Sequence, residues 1–377
     1  MLINNLGPAG AESQVLHLAA GLAEAGHEVT VACQRGVIVP LDALHRAGVR
    51  VVAFGAASPR QKLRMLPRLV KLARQADVVH CSMWDASMWG RLAAMIARRP
   101  VVVAEHSVDR GHVKSQTTGK PRGSWIALHN RLLDPFTYAT VACAASQFPV
   151  LTGEGVSQER IVLIPNGVPV DEIRERSQGG VTREELAIPA EATLLVHVAR
   201  FQPFKNQVAT LEVVRRMRED RGDVRVLFAG WGSLLEEVKQ RAADMGADEW
   251  AYFLGRREDV PALLSIADLS VLPSLTEAMP MTIVESLAVG VPVVATDVGD
   301  VRSVLERTGG GVVVPPGDDD AYEQACRRML DDRELHERTA LQGPVGAREL
   351  FDSARMVDRY SALLGAAADR APVPAIG

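Results

Sequence analysis

The chain is poor in aromatic residues, at 5 % of its 377 positions, and it carries only four cysteines. Cys33, Cys81, Cys143 and Cys326 contain no pair at metal-ligand spacing, so neither a zinc module nor a disulfide-stapled scaffold is expected. The first three stand at or near the ends of apolar runs, the usual setting of buried free thiols, and a reduced cytoplasmic protein is expected. No apolar stretch reaches transmembrane length. The opening Met1–Gly10 lacks both the basic flank and the apolar region of a signal peptide. No G-x-G-x-x-G follows a strand, which argues against a dinucleotide-dependent oxidoreductase, and no G-x-S-x-G is present, which argues against a serine hydrolase. An excess of one charge is also missing: 42 basic against 46 acidic residues leave a net charge of −4, and nucleic acid is not an expected partner.

What is present is the balance of a folded protein, 47 % apolar and 23 % charged. At 377 residues the chain exceeds what one core usually supports, so two domains are expected. Apolar runs without strict alternation read as buried strands: Glu28–Cys33, Val49–Phe54, Asp77–Cys81, Pro100–Ala104, Thr140–Ala144 and Ile161–Pro165. Leu2-Ile3-Asn4 reads as the tail of another, either a short strand or one whose start lies upstream. Val15, Leu18, Ala19, Leu22 and Ala23 have the spacing of a helix with one buried face, ended by Gly26. Polar residues 169–190 read as a linker. The alternation then restarts with Thr193–Ala199, Val224–Ala229, Trp250–Leu254, Asp268–Leu272, Val291–Ala295 and Gly311–Val314. Repeated strand and helix imply parallel sheets covered by helices. The expected organisation is α/β, with two Rossmann-like domains, 1–168 and 191–350, facing across a cleft. Residues 351–377 form a C-terminal helix, expected to pack back on the first domain, and a frayed tail.

In such sheets ligands bind beyond the carboxyl ends of strands. After Asp268–Leu272 come Pro273-Ser274-Leu275-Thr276-Glu277-Ala278-Met279-Pro280-Met281-Thr282-Ile283-Val284-Glu285. Ile283, Val284, Leu287 and Ala288 give a helical apolar face, and Pro280 suits its first turn. Glu277 then precedes a helix whose amino-terminal amides form an anion site. Glu285 stands eight residues further on, about 12 Å at the helical rise. That separation matches the span from ribose to hexose in a nucleotide sugar, with the diphosphate between. After Thr193–Ala199 come Arg200 and, through Phe201-Gln202-Pro203-Phe204, Lys205, two cations able to neutralise a diphosphate. Each residue taken singly has an ordinary alternative as surface charge or helix-end complement. Together, at matching places in one half of the chain, they point to a site.

Asp318-Asp319-Asp320 looks like a metal-binding run. It opens a helix after Pro315-Pro316-Gly317, so capping accounts for it and no metal is expected there. Pro59–Arg74 carries Arg60, Lys62, Arg64, Arg68, Lys71 and Arg74 with no acid, interleaved with Leu63, Leu66, Leu69, Val70 and Leu72. Gly111–Arg131 adds Lys114, Lys120, Arg122 and Arg131 around Trp125. Two readings stand: helices lying on an anionic membrane, or helices packed on the sheet with a basic outer face.

These pieces in order resemble glycosyltransferase family 4, of GT-B fold, over nearly the whole chain. The matching segments are Gly7-Pro8-Ala9-Gly10-Ala11-Glu12, Ile164-Pro165-Asn166-Gly167-Val168, Ala199-Arg200-Phe201 with Lys205, Gly230-Trp231-Gly232, Phe253-Leu254-Gly255, Glu277-x7-Glu285 and Gly290-Val291-Pro292-Val293-Val294-Ala295-Thr296. The resemblance implies a retaining, metal-independent hexosyltransferase without cofactor, in polysaccharide or glycolipid synthesis. Its donor would be a nucleotide sugar, UDP-linked rather than GDP-linked, and its acceptor a glycan or lipid-linked glycan. The expected location is the cytoplasm, either free there or peripheral on the inner membrane face if the basic helices lie on lipid. It implies that Arg200 and Lys205 bind the diphosphate and that Thr282 touches phosphate. Glu277 and the amides of Ala278, Met279 and Met281 would hold the transferred sugar, and Glu285 the ribose. Gly255 and Arg256 would lie beside the base, and Gly10 would let backbone approach the ligand. His106, after Pro100–Ala104, would bond a donor hydroxyl without being a nucleophile, the leaving phosphate taking the acceptor's proton. Ala278 and Asn206 stand where the family often has glycine. A sugar-nucleotide epimerase of the same architecture and a catalytically idle sugar-nucleotide binder are the alternatives.

Overall fold

A computed structural model describes residues 1–7, 9–106 and 123–375, except for the side chains of 123–125. Pro8, Ser107, Lys114, Lys120, Arg122 and the Trp125 side chain therefore lie outside what is described. The chain forms two compact units, Met1–Gly167 with Ser353–Gly377, and Val168–Asp352.

Unit 1 is a parallel sheet ordered β3-β2-β1-β4-β5-β6-β7. Its strands are β1 Leu2–Ile3, β2 Thr30–Cys33, β3 Arg50–Ala53, β4 Val79–Ser82, β5 Val101–Glu105, β6 Ala139–Ala142 and β7 Ile161–Leu163. β4 to β6 are buried along their whole length, which is why they read as mainly apolar runs without alternation, although His80, Ser82, Glu105 and Thr140 are buried within them. On one face the helix Gly10–Glu24 places Val15, Leu18 and Leu22 in a core with Met356, Val357, Tyr360 and Leu363 of the helix Ser353–Ala368. Gly21 lets the two helices meet: a Cβ there would stand 2.4 Å from a Val357 methyl. The C-terminal helix is thus an integral layer of unit 1. Each large apolar side chain it buries stabilises the unit by about 1.5–3 kcal/mol. On the other face Met65, Leu69, Val70 and Ala73 pack with Ala86, Ala93 and Ala94.

Unit 2 is a parallel sheet ordered β10-β9-β8-β11-β12-β13. Its strands are β8 Thr193–Val198, β9 Val224–Ala229, β10 Ala251–Phe253, β11 Leu269–Leu272, β12 Val293–Thr296 and β13 Gly311–Val314. Residues 169–190 are not a linker. Val170–Ser177 is a helix, with Val170 and Ile173 buried. The turn after it is clamped by Arg183, whose guanidinium donates to the carbonyls of Ile266 at 2.9 Å, Ala190 at 3.0 Å and Ala192 at 2.8 Å, and to the Asp268 carboxylate at 2.9 Å. A polar segment reads as a spacer in one dimension, yet a single guanidinium folds it onto the sheet edge. No helix among the described residues is long and apolar enough to cross a membrane.

Candidate functional site

In unit 2 the sheet reverses its winding between β8 and β11, which are neighbours. The loops leaving these two strands carry the charged residues singled out from the sequence. The first is fixed by backbone: Ala199 N donates to Ala229 O at 3.1 Å and Phe201 N to Trp231 O at 2.9 Å. Glycine is required opposite it. A Cβ on Gly230 would lie 1.8 Å from the Ala199 oxygen, and one on Gly232 would lie 2.2 Å from the Phe201 oxygen. The Gly-Trp-Gly segment therefore exists so that two backbones can cross. Its indole supports Arg200, whose guanidinium carbon stands 4.6 Å from the Trp231 ring centroid. Gln207 Nε2 donates to the Arg200 carbonyl at 3.0 Å, which ties the loop to the next helix.

Lys205 closes a short 3-10 turn, Pro203–Lys205, and Asn206 follows in the left-handed region at φ 53°. This explains one departure from the family pattern, because asparagine tolerates that conformation better than other side chains. Ala278 has no positive φ, so the second departure carries no backbone strain.

The loop after β11 joins the first: Leu275 N donates to Phe204 O at 2.7 Å. Lys205 Nζ is ion-paired with Glu277 Oε1, and the two side chains keep 16 % and 10 % of their exposure. Ser274, fully buried, donates to the same carboxylate oxygen at 2.8 Å. Gly299 passes behind them, where a Cβ would stand 2.2 Å from the Glu277 carbonyl oxygen. The pair was not legible in the sequence, where its members lie 72 residues apart. Ser274 and Gly299 were likewise missed, and neither carries a local signal.

The helix begins at Met281 and not before, because Pro280 sits outside it with ψ 120°. Glu285 is therefore the fifth helical residue, about one turn in, and because Glu277–Pro280 precedes the helix the 12 Å spacing expected from an unbroken helical rise does not apply. Thr282 Oγ1 donates to Val198 O at 3.1 Å. Glu285 is partly buried, and desolvation holds its carboxyl up at about 7, opposed by the Arg176 guanidinium. Arg176 belongs to the segment expected to be a linker, so sequence reasoning did not place it here. Gly255 has φ 66° and its carbonyl accepts from Gly230 N at 2.8 Å. Arg256 is exposed and pairs with Glu258 at 3.1 Å. Ala278 and Met279 are buried beside Glu277.

In unit 1, His106 follows β5 directly. Burial lowers its pKa, against smaller raising contributions from Glu105 and from hydrogen bonding to Asn166, so the ring is neutral at pH 7. Gly10 is the first residue of its helix. Four residues on, Gln14 exchanges two 2.9 Å hydrogen bonds with the backbone of Gly167, joining the Gly7–Glu12 and Asn166-Gly167 segments. Asp318 caps its helix by accepting from Ala321 N at 2.9 Å, and Asp320 pairs with Arg216 at 2.6 Å. No group of three or more His, Cys, Asp or Glu side chains among the described residues is placed to hold a metal. The basic helix Pro59–Gln75 buries Met65, Leu69, Val70 and Ala73 on the sheet and exposes Arg60, Arg64, Arg68, Lys71, Arg74 and Leu63.

Residues 8–172 match the family described as Glycosyltransferase Family 4, and residues 181–344 match Glycosyl transferases group 1. A D-inositol 3-phosphate glycosyltransferase of Geodermatophilus obscurus is 29 % identical over 342 residues, 85 % of this chain and 72 % of that protein. A UDP-Gal:alpha-D-GlcNAc-diphosphoundecaprenol alpha-1,3-galactosyltransferase of Escherichia coli is 26 % identical over 292 residues, 73 % of this chain and 72 % of that protein. The structure of Anabaena HepE with UDP and glucose superimposes with a TM-score of 0.82 at 19 % identity, over 97 % of this chain and 99 % of that one.

Proposed function

The chain belongs to glycosyltransferase family 4, with the GT-B fold, and from that premise we propose that it moves a hexose from a UDP-sugar to an acceptor hydroxyl with retention of configuration. The observation that carries this reading is the Lys205–Glu277 pair beside Arg200 at the β8/β11 crossover. There one carboxylate and two cations meet the loops where an α/β sheet takes its ligand. Glu277 has acceptor capacity for sugar hydroxyls, with the backbone of Ala278, Met279 and Met281 beside it. Arg200, pre-oriented on Trp231, and Lys205 face the diphosphate, next to the amino terminus of the helix Met281–Val289 and Thr282. Glu285 takes the ribose hydroxyls, and Gly255 and Arg256 border the base.

In this mechanism the bond from the anomeric carbon to the diphosphate oxygen breaks as the acceptor oxygen bonds to that carbon on the same face. The acceptor's proton passes to the departing phosphate oxygen. Arg200 and Lys205 stabilise the charge that develops on the leaving group, the task a metal performs elsewhere, so a metal-independent reaction is proposed. His106, uncharged at neutral pH, is suited to hydrogen-bond a sugar hydroxyl and not to act as a nucleophile. Gly10 lets backbone approach the ligand at its helix start.

The acceptor proposed is a glycan or lipid-linked glycan in cell-surface polysaccharide or glycolipid synthesis. The reaction would take place in the cytoplasm, where the exposed cations of Pro59–Gln75 meet an anionic membrane. The HepE complex with UDP and glucose and the UDP-Gal-dependent relative support a uridine donor. Thermal unfolding with UDP, UDP-glucose, GDP and GDP-mannose tests this, since a ligand of the folded state raises its melting temperature. UDP ligands should do so. Stabilisation by GDP ligands alone would overturn the donor base, and stabilisation by neither would overturn the donor site.

A further inference from the structure

Arg176 stands near the end of the helix Val170–Ser177, where a cation ordinarily does no more than complement the helix dipole. Arg174 shares the last turn and already serves that purpose. The ion pair of Arg176 with Glu172, at 3.5 Å on the same helix, joins two side chains that are each about half exposed, and such a pair adds little stability. Neither role accounts for where the guanidinium goes. Its Nη2 donates to the Glu258 carbonyl at 2.6 Å, 82 residues further along the chain.

Glu258 lies in the loop Gly255–Asp259 after β10, which the transferase reading puts beside the base. The loop is pinned at its first residue, where the Gly255 carbonyl accepts from Gly230 N at 2.8 Å. It is pinned again at its last, where the Asp259 carbonyl accepts from Ala262 N at 3.0 Å and Leu263 N at 3.1 Å. Between these points Arg256 and Arg257 pair with Glu258 and Asp259, inside the loop itself. The bond from Arg176 is the one hydrogen bond that ties residues 256–258 to another element among the described residues.

The helix that carries Arg176 is itself fixed. Val170 and Ile173 are buried, the Asp171 carboxylate accepts from Arg348 at 3.0 Å, and the Ser177 carbonyl accepts from Ser265 Oγ at 3.1 Å. It packs on the helices Val260–Ser265 and Met281–Val289, the second of which carries Glu285. The charge reaches that carboxylate: burial pushes Glu285 up to about 7, and Arg176 opposes the rise. One cation thus acts on the loop assigned to the base and on the carboxylate assigned to the ribose.

We propose that Arg176 is a positioning residue for the nucleoside end of the donor, setting the Gly255–Asp259 loop against the base and holding a positive charge beside the Glu285 carboxylate that takes the ribose. This rests on the donor reading above and adds to it a residue outside every segment that carries the family resemblance. Titration calorimetry with the full chain and its Arg176→Gln and Arg176→Lys variants tests it, using UDP and, by competition with UDP, UMP. The two ligands share the nucleoside and differ in one phosphate. Arg176→Gln removes the charge and should weaken both by the same factor, about tenfold, the equivalent of 1.4 kcal/mol. Arg176→Lys keeps a charge and a donor and should bring both affinities back to within about threefold of wild type. Urea unfolding midpoints should match that of wild type, because the exposed pair with Glu172 contributes little.

Unchanged affinities in the glutamine variant would overturn the proposal and leave Arg176 a surface cation. A loss confined to UDP would overturn it too, since the effect would then lie at the diphosphate. So would a lysine variant as weak as the glutamine one, or a loss of binding that follows a lowered unfolding midpoint. Wild-type protein that binds neither UDP nor UMP would instead overturn the donor reading, and this proposal with it.

Discussion

Replacing Glu285 by glutamine separates the cost of a buried carboxylate from its use. Burial raises this group from an ordinary 4.5 to about 7 in the folded protein. The protonated form is therefore favoured by folding, and the stability it contributes is complete below pH 4.5 and is lost as the pH rises through about 7. At pH 8 the ionised carboxylate costs at most about 3 kcal/mol at 1.36 kcal/mol per pH unit, reduced to about 1–2 kcal/mol because the residue keeps part of its exposure. Glutamine fills the same space without charge. The Glu285→Gln variant should then melt about 3–6 °C above wild type at pH 8 for a unit of this size. At pH 5 both side chains are neutral and the difference should shrink towards zero. Ligand binding should move the other way. Ribose hydroxyls bond best to the ionised carboxylate, so the variant should bind UDP about 10–100-fold more weakly at pH 8. Wild-type affinity should also fall as the pH drops below about 7. Differential scanning calorimetry across this pH range, with titration calorimetry for UDP, measures both effects. A variant less stable than wild type at pH 8, or a stability gain that persists unchanged at pH 5, would refute the burial argument. Equal UDP affinity at pH 8 would refute the ribose role.

Lys205→Ala and Glu277→Gln should each lower the rate of sugar transfer by about 10²–10³ with the fold intact by circular dichroism, and full activity of both would sink the donor assignment. Gly230→Ala must force a Cβ into the Ala199 carbonyl, 1.8 Å away, so it should cost at least about 3 kcal/mol in urea unfolding. Gly26→Ala, with φ +93° but nothing within 4 Å, should cost only about 1–2 kcal/mol in the same assay. Equal losses would show that the crossing of backbones at Gly-Trp-Gly is not tight. Asn206→Gly should leave stability within about 0.5 kcal/mol, while Asn206→Val should cost about 1–2 kcal/mol, because a β-branched residue resists the left-handed φ of 53°. A tolerated valine would contradict that conformation.

The strands were legible because a parallel strand buried on both faces is apolar in successive positions rather than alternate ones, as Val101–Ala104 and Val226–Ala229 are. The places of Arg200, Lys205 and Glu277 were legible for a related reason: polar residues directly after such a run stand at the carboxyl end of a strand. Gly230 and Gly232 could be marked as part of a motif, but the two carbonyls they must clear became visible only in the fold. Residues 169–190 misled because their polarity, read without the Arg183 clamp, is that of a spacer. Sequence by itself thus determined the order of strands and which charged residues follow them, since both depend on local pattern. Tertiary structure decided which charge meets which: Lys205 with Glu277, Lys62 with Asp85, and Glu285 left partly buried with the Arg176 charge opposing its desolvation. Pairing and desolvation depend on distances and burial in space, and residues separated by 72 and 23 positions carry no local mark of meeting.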